Sequence, residues 1–205
     1  MSVRFDGKVA LVTGGARWIG SATAQVVCEL GASVAMRDRD AARGEAVVAQ
    51  MRQQSHPAAF YACDVGSLEA VSDTVERAEK YFGAVHLLVS NAGIQRYGDV
   101  VSTSVEQWND TLRVHVQGCF HAIRATIPAM LRAGGGALVV TGSVQTYTAV
   151  QNSAAYVTAK HALLGLVRSV ALDEAACFMR ANCGLPGTID TPMLRSVAAK
   201  AANPE

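Results

Sequence analysis

The chain has 205 residues, of which 50% are hydrophobic and 17% are charged, and its formal net charge is +1. This composition predicts a well-buried globular protein and excludes a disordered one, and the length predicts one domain over residues 1–205. Because no basic or acidic block interrupts the chain, we expect neither nucleic acid nor a membrane surface as a partner.

The cysteines and histidines show no metal-binding pattern. The five cysteines form no CxxC pair and the five histidines form no HxxxH pattern, so we expect no metal site. An odd, scattered set of cysteines is typical of reduced thiols in the cytosol. The N-terminal residues lack the apolar run of a signal peptide, and no apolar stretch approaches the ~20 residues of a membrane-spanning helix. We therefore predict a cytoplasmic protein.

The first elements in the chain are a strand, a glycine turn and a helix. Residues 8–13 form a continuous apolar run, typical of a strand buried on both faces, and residues 21–30 have helical spacing up to Gly31. The N–H groups of the intervening turn and the N-terminus of the helix favour an anion, which predicts a phosphate-binding turn. Its candidate cofactor-binding residues are Gly14, Arg17, Trp18, Ile19 and Gly20.

The second predicted strand, residues 33–37, ends at Asp38. This acid follows the glycine turn at close to the ~20-residue spacing of a carboxylate that binds a ribose diol. A carboxylate there accepts hydrogen bonds from both ribose hydroxyls of NAD and repels the 2′-phosphate of NADP. Arg17 and Arg39 flank the position and could instead attract that phosphate. The pattern favours NAD and leaves NADP as the less favoured alternative.

Strands and helices continue to alternate along the chain. Further strands are predicted at residues 58–62, 86–90, 137–141 and 181–183. Helices are predicted at residues 41–54, from the cap Ser67 to Gly83, from the capping box Ser104–Gln107 to about Arg132, and at residues 154–176. Strict alternation implies right-handed crossovers. We therefore predict an α/β fold, a Rossmann-like doubly wound parallel sheet of about six strands in the order 3-2-1-4-5-6.

In such a sheet, ligands bind outside the carboxyl ends of the strands. The residues that carry chemistry fall at these ends, and they are the glycine turn, Asp38, Asp64, Asn91, Ser143 and Pro186. Tyr156 and Lys160 follow four residues apart, so they share one face of a helix. A solvated pair on a helix surface is the alternative, but the convergence of six strand ends favours a catalytic pair, in which lysine lowers the phenol pKa from ~10.

Together these motifs resemble the short-chain dehydrogenase/reductase family from about Phe5 to Met193. The resemblance implies an oxidoreductase that transfers hydride between a nicotinamide cofactor and a secondary alcohol or ketone. It implies that Tyr156 is the general acid/base, that Ser143 binds the substrate oxygen, and that Lys160 lowers the tyrosine pKa and holds the nicotinamide ribose. Polar residues near the site slightly favour a polyol, sugar or hydroxy-acid substrate, and they are Gln145, Gln151 and Asn152.

The resemblance also implies the remaining cofactor contacts. Asp64 is expected at the adenine, Asn91 and Gly93 along the adenosine, and residues 187–191 at the nicotinamide. The expected set beyond the glycine turn and Asp38 is Asp64, Val65, Asn91, Ala92, Gly93, Tyr156, Lys160, Pro186, Gly187, Ile189 and Thr191. A small-molecule substrate and a homo-oligomer, dimer or tetramer, are the expected partners.

Several positions depart from the family pattern. Trp18 stands where the second glycine of the turn is usual, and its indole could crowd the pyrophosphate or pack beside the adenosine. His115 stands at the fourth catalytic position, usually asparagine, where it could relay protons or be a packed residue in a damaged relay. His86 and Ser90 replace a usual Asp and Asn, and Phe178 stands where a turn glycine is usual.

The family has a substrate lid and another strand after the position of Met193, whereas this sequence ends at Glu205, after a possible helix start at residues 194–202. The resemblance therefore predicts a family member truncated at the C-terminus, without the usual seventh strand. The altered positions and the short end leave one alternative function, a catalytically impaired protein that binds or senses a nucleotide.

Overall fold

The computed structural model describes residues 3–190 and Arg195. Six strands form one sheet: β1 Val9–Thr13, β2 Ser33–Asp38, β3 Ala58–Ala62, β4 Leu87–Ser90, β5 Gly136–Thr141 and β6 Met179–Gly184. Their order is β3-β2-β1-β4-β5-β6, and every neighbouring pair is parallel. The predicted Rossmann-like sheet is confirmed, and the described residues contain no seventh strand.

Six α-helices connect the strands: α1 Trp18–Glu29, α2 Ala41–Gln53, α3 Leu68–Phe82, α4 Val105–Leu112, α5 Gly118–Arg132 and α6 Ala154–Asp173. The predicted caps form as expected. The Ser67 hydroxyl accepts a hydrogen bond from Ala70 N–H, and α3 ends at Gly83 in the left-handed conformation. Ser104 and Gln107 form a reciprocal capping box at the start of α4.

The two faces of the sheet bury separate apolar clusters. Ala10 and Val12 of β1 belong to a cluster with side chains of α1 and α2. Leu11, between them, belongs to the larger cluster with side chains of α3, α5 and α6. Since alternate strand residues point to opposite faces, both faces of β1 are buried, as its continuous apolar run predicts.

The chain between α4 and α5 differs from the prediction of one long, bent helix. Residues Arg113–Gln117 form a single π-helical turn, in which hydrogen bonds close over one extra residue. Hydrophobic periodicity does not reveal such an inserted residue, because the helix continues in nearly the same direction on both sides. The turn places His115, 3% exposed, in the interior.

Three element ends also differ from the predicted ones. Helix α1 begins at Trp18 rather than at residue 21, α6 ends at Asp173 and is followed by a short 3₁₀ turn, Ala175–Cys177, and β6 is longer than predicted. Phe178 has a φ of 56°, the left-handed conformation for which glycine is usual at this position.

No helix within residues 3–190 is long and apolar enough to span a membrane. The helix start predicted at residues 194–202 lies outside the described residues, apart from Arg195, and so do Thr191 and Met193.

Candidate active site

The glycine turn packs against the end of β4. A Cβ atom on Gly14, whose φ is 65°, would lie 2.8 Å from the Ala92 Cα, and one on Gly20 would collide with the Gly14 carbonyl oxygen. The Thr13 hydroxyl accepts hydrogen bonds from the N–H groups of Asn91 (2.9 Å) and Ala92 (3.1 Å). The Asn91 amide donates to the Gly14 carbonyl over 3.1 Å. These contacts hold the turn open and bring two predicted cofactor segments together.

The Asp38 carboxylate lies beside this turn. Its Oδ2 accepts from Ala16 N–H over 3.1 Å, and its Oδ1 accepts from Asp40 N–H over 2.9 Å. Arg17, which could have attracted a 2′-phosphate, is paired with Asp40. The acid predicted to bind the ribose is therefore fixed at the turn, and one of its flanking arginines is already engaged.

Trp18 occupies the second glycine position of the turn in a left-handed conformation, with a φ of 47°. Its indole is 40% exposed, and Ile19 follows it in the first turn of α1. A left-handed conformation costs a residue with a Cβ roughly 1–2 kcal/mol. The backbone at Trp18 therefore keeps the shape that suits glycine while it carries the largest side chain.

Asp64 lies at the end of β3, as predicted, but has a partner that sequence reasoning missed. Its carboxylate accepts from Gly66 N–H over 2.9 Å and from Arg113 Nη1 over 3.1 and 2.9 Å. The Gly66 N–H, followed by Arg113, holds the pKa of Asp64 below its usual range. Asp64 and Arg113 are distant in sequence, so a single sequence carries no signal of this ion pair. The adjacent Val65 is buried, 8% exposed.

Ser143, Tyr156 and Lys160 come together at the end of β5. Ser143 is 8% exposed, and its hydroxyl accepts from Gln145 N–H over 3.2 Å. Lys160 is 5% exposed, and its Nζ donates to the Thr141 carbonyl over 2.8 Å. The same Nζ lies 5.3 Å from the centroid of the Tyr156 ring. The catalytic residues predicted from the sequence are thus neighbours.

The electrostatics of this trio differ from the expectation. Burial raises the pKa of the Tyr156 phenol, and the hydrogen bond from Ser143 opposes that rise only in part. The expected lowering by Lys160 is absent, since its ammonium group is directed to the Thr141 carbonyl. Burial lowers the pKa of Lys160 to about 8. Lys160 is therefore charged in most molecules at pH 7 and readily deprotonated above pH 8.

His115 lies beside Tyr156. Its Nε2 is 2.7 Å from the Ile94 carbonyl oxygen, while its Nδ1 is buried without a hydrogen-bond partner in the described residues. A Cβ atom on Gly93 would lie 2.6 Å from the His115 ring, so the glycine leaves room for it. Burial, followed by the charge of Lys160, lowers the pKa of His115 to about 4. The imidazole is neutral at physiological pH.

The loop after β6 approaches the serine loop. Val144 N–H donates to the Pro186 carbonyl over 3.0 Å, and Gly187 and Ile189 follow, both exposed. This position suits the predicted role of these residues at the nicotinamide end. Thr191, predicted to contact the cofactor, lies outside the described residues.

A short pairing that sequence reasoning missed connects the loop after β4 with the start of α6. Gly98 N–H donates to the Asn152 carbonyl over 2.9 Å, and Ala154 N–H donates to the Gly98 carbonyl over 3.2 Å. The pairing brings Tyr97 near Tyr156, and the charge of Tyr97 raises the pKa of Tyr156 further. Four large side chains of the loop after β4 and of the segment between β5 and α6 are about half exposed, and they are Tyr97, Val144, Tyr147 and Val150. We call the surface that they form the mouth of the site. Glycines and polar loop residues give no sequence signal for such a contact.

Comparison with known proteins shows the family of the chain. The model of the short chain dehydrogenase family matches residues 8–202. The chain belongs to this family. It is 37% identical over 197 residues to a cyclohexanol dehydrogenase of Acinetobacter sp. (strain SE19), covering 95% of this chain and 78% of the relative. Family members are oxidoreductases that act on CH–OH groups with a nicotinamide cofactor, so the predicted enzyme class is confirmed.

Other family members differ in substrate. A D-threitol dehydrogenase of Mycolicibacterium smegmatis (strain ATCC 700084 / mc(2)155) is 33% identical over 190 residues, covering 93% of this chain and 73% of the relative. The structure of carveol dehydrogenase from Mycobacterium avium in complex with NAD superposes with a TM-score of 0.91 at 25% identity, covering 95% of this chain and 75% of that one. Shared fold and family therefore leave the substrate to be argued from the site.

Proposed function

We propose that this protein is an NAD-dependent dehydrogenase of a secondary alcohol, with Tyr156 as its general acid/base. The observation that carries the proposal is the convergence of Ser143, Tyr156 and Lys160 at the end of β5, where the Lys160 ammonium lies 5.3 Å from the Tyr156 ring. The glycine turn lies two strands away at the same edge of the sheet. The nicotinamide cofactor, which accepts the hydride, and Tyr156, which accepts the proton, would thus meet at one place.

The residues present fit a nicotinamide dinucleotide. Gly14 and Gly20 keep open a turn that a Cβ would close, which is the shape a pyrophosphate needs. The contacting residues would be the predicted set: Gly14, Arg17, Trp18, Ile19, Gly20, Asp38, Asp64, Val65, Asn91, Ala92, Gly93, Tyr156, Lys160, Pro186, Gly187, Ile189 and Thr191. When bound, the nicotinamide ring supplies hydride chemistry that no side chain can perform.

The proton step is assigned to the phenol of Tyr156. In alcohol oxidation, Tyr156 Oη takes the hydroxyl proton, while the Ser143 hydroxyl donates to the substrate oxygen as negative charge develops there. Since burial raises the pKa of Tyr156, the phenolate needs positive charge nearby. The Lys160 ammonium is the cation closest at hand, and a shift of its Nζ from the Thr141 carbonyl toward Tyr156 would supply that charge.

His115 is assigned a positioning role. Because its pKa is about 4, it does not carry a proton as an imidazolium at neutral pH. Its Nε2 lies within hydrogen-bond distance of both the carbonyl oxygen (2.7 Å) and the N–H (3.1 Å) of Ile94, so the backbone of one residue holds the ring in either tautomer. This supports a neutral ring that packs against Tyr156, and favours it over a titrating relay.

NAD is proposed over NADP because of the position of Asp38. One carboxylate oxygen faces the Ala16 N–H of the turn and the other faces the Asp40 N–H, and from this position the carboxylate repels a 2′-phosphate and can still accept from ribose hydroxyls. The ion pair of Arg17 with Asp40 supports the same preference, since it engages one of the two arginines that flank that position.

A hydroxylated carbocycle is the proposed substrate. The exposed Tyr97, Tyr147 and Val150 offer apolar and aromatic surface at the mouth of the site, while the amide of Gln145 beside Ser143 has a buried oxygen without a partner among the described residues. Apolar walls with one unpaired acceptor suit a ring that carries a second hydroxyl. Similar proteins are named for a ring alcohol, cyclohexanol, and for a polyol, D-threitol, and a hydroxylated carbocycle shares one feature with each.

Titration calorimetry together with rate measurements tests the proposal. We expect NAD and NADH to bind more tightly than NADP and NADPH, and NADH to form from NAD with cyclohexanol and cyclohexane-1,2-diol in preference to threitol. Tight binding of NADH without turnover of any alcohol would favour the alternative, an impaired nucleotide-binding or sensor protein, which Trp18 and His115 motivate. Absence of binding of either dinucleotide would contradict both.

Three further features remain predictions. They are a single domain over residues 1–205, a cytoplasmic location and a homo-oligomer. Light scattering coupled to gel filtration would test the last of these, with a dimer or tetramer expected and a monomer contradicting it.

A further inference from the structure

The π-helical turn between α4 and α5 carries His115 to the ring of Tyr156. The turn comprises Arg113–Gln117, and the Gly118 N–H closes it by donating to the Arg113 carbonyl. Single π-helical turns are rare in α-helices and frequently lie at functional sites. The contacts that hold this turn in place are therefore of interest for the function of the site.

The loop after β3 contacts the π-helical turn at both of its ends. At the first end, the Asp64 carboxylate accepts from Arg113 Nη1 over 2.9 Å, and a Cβ atom on Gly66 would collide with the same nitrogen. At the second end, a Cβ atom on Gly118 would lie 2.7 Å from Val65 Cγ2. The loop whose Asp64 is proposed to contact the adenine therefore also packs against the turn that carries His115.

The guanidinium of Arg113 is shared between two carboxylates. Its Nη1 faces both oxygens of Asp64, and its Nη2 donates to Asp110 Oδ1 over 3.3 Å. The side chains of Arg113 and Asp64 are 38% and 54% exposed, so this ion pair contributes little to the stability of the fold. Two partners on different elements nevertheless restrict the direction of the side chain. We therefore expect Arg113 to affect the position of the turn more than the stability of the protein.

The backbone after β4 receives His115 on the side of the acid/base. The His115 Nε2 lies 2.7 Å from the carbonyl oxygen and 3.1 Å from the N–H of Ile94, and Gly93 leaves room for the ring. The centroids of the His115 and Tyr156 rings are 5.3 Å apart. A displacement of the π-helical turn would therefore move the ring that packs against Tyr156.

We propose that Arg113 is a positioning residue of the dehydrogenase, whose ion pair with Asp64 fixes the π-helical turn and thereby the His115 ring against Tyr156. The turn then connects the adenine end of the site with its acid/base. Misplacement by about 1 Å costs on the order of 10²-fold in rate, so a loosened turn lowers kcat. This kinetic consequence rests on the proposed function, whereas the packing of the two rings does not.

Nuclear Overhauser effects between the ring protons of His115 and Tyr156 test the packing without any turnover. In protein labelled at histidine and tyrosine, we expect a cross-peak between the two rings in the wild type and its loss in Arg113→Met. Arg132→Met is the matched control, because it also removes an ion pair of α5, with Glu79, but at the other end of that helix. The control should keep the cross-peak. A cross-peak of equal strength in Arg113→Met and the wild type, or its absence from the wild type, would overturn the proposal.

Asp64→Asn provides the same test from the other side of the ion pair, and it applies even if Arg113→Met does not fold. The variant removes the charge that holds Arg113 and leaves the sequence of the π-helical turn unchanged. We expect the cross-peak between His115 and Tyr156 to be lost here as well. Its persistence in Asp64→Asn would count against the positioning role.

Steady-state rates distinguish positioning from cofactor binding. In Arg113→Met the Asp64 carboxylate stays free to accept from the adenine, so we expect kcat to fall about tenfold while KM for NAD changes little. Arg113→Lys keeps a cation beside Asp64 and should recover most of kcat, and Arg132→Met should keep the wild-type value. An unchanged kcat in Arg113→Met, or an equal loss in Arg132→Met, would contradict the proposal. Absence of turnover in the wild type would instead contradict the proposed function and leave the ring packing to decide the role of Arg113.

Discussion

The rings of His115 and Tyr156 meet at 89°, with their centroids 5.3 Å apart. His115 belongs to the π-helical turn Arg113–Gln117, and its Nε2 is 2.7 Å from the Ile94 carbonyl oxygen. The extra residue of the turn therefore positions a neutral ring against the proposed acid/base. Single π-helical turns recur at functional sites because they redirect a side chain without ending the helix.

The stability of the fold should depend on pH through His115. Its folded pKa of about 4 lies below the usual histidine value of 6.5, so its stabilising contribution is complete above pH 6.5 and is lost as the pH falls toward 4. The expected loss is about 3 kcal/mol. Urea unfolding should show that the free energy of unfolding differs less between pH 7.0 and pH 4.5 in His115→Asn than in the wild type. The exposed His161→Asn is the control, and an equal pH dependence in His115→Asn and wild type would contradict this account.

Lys160 should destabilise the folded state at neutral pH. Burial lowers its pKa from 10.5 to about 8, so the folded state binds this proton less tightly than the unfolded chain. Lys160 therefore lowers the free energy of unfolding below pH 8, and this penalty disappears as the pH rises toward 10.5. We expect Lys160→Met to raise the unfolding free energy at pH 7 by about 2 kcal/mol, and by less at pH 9.5. The exposed Lys80→Met should change neither value, and destabilisation by Lys160→Met at pH 7 would show that its bond to Thr141 outweighs its burial.

Trp18 should strain the glycine turn. Its φ of 47° suits glycine, so Trp18→Gly should be more stable than Trp18→Ala by about 1 kcal/mol, although glycine costs more entropy on folding. Both variants lose the indole, and the comparison therefore isolates the backbone conformation. Thermal unfolding of the two variants measures the difference in their stability. A more stable Trp18→Ala would mean that the turn relaxes out of the left-handed conformation.

Strand order and the carboxyl-end residues could be predicted because they depend on alternation and on short local motifs. Apolar runs mark β1 to β5, and Ser67, Gly83 and Ser104 mark helix ends through hydrogen bonds within a few residues. The parallel, doubly wound sheet then follows from the handedness of crossovers, and its strand order from the resemblance to the family. Tyr156 and Lys160 could be predicted for the same reason, since four residues define one helix face.

The features that were missed depend on contacts between distant residues. The ion pair of Arg113 with Asp64 and the bond of Lys160 to the Thr141 carbonyl arise only when strands and helices have packed. The burial of Arg37 contradicts what its charge suggests, since arginine is rarely buried without a partner. For the same reason, the direction of the Tyr156 pKa shift could not be predicted from a lysine at the right spacing.

The most direct test of the central claim is the rate of NADH formation in Tyr156→Phe, followed at 340 nm with NAD and the best alcohol found for the wild type. The phenyl ring retains the contact with His115 and removes only the hydroxyl, so NADH affinity should stay within about threefold while kcat falls by about 10²–10⁴-fold. Tyr97→Phe, which removes the neighbouring exposed hydroxyl, serves as the matched control and should keep most of the activity. Turnover by Tyr156→Phe at the wild-type rate would contradict the assignment of Tyr156 as the acid/base.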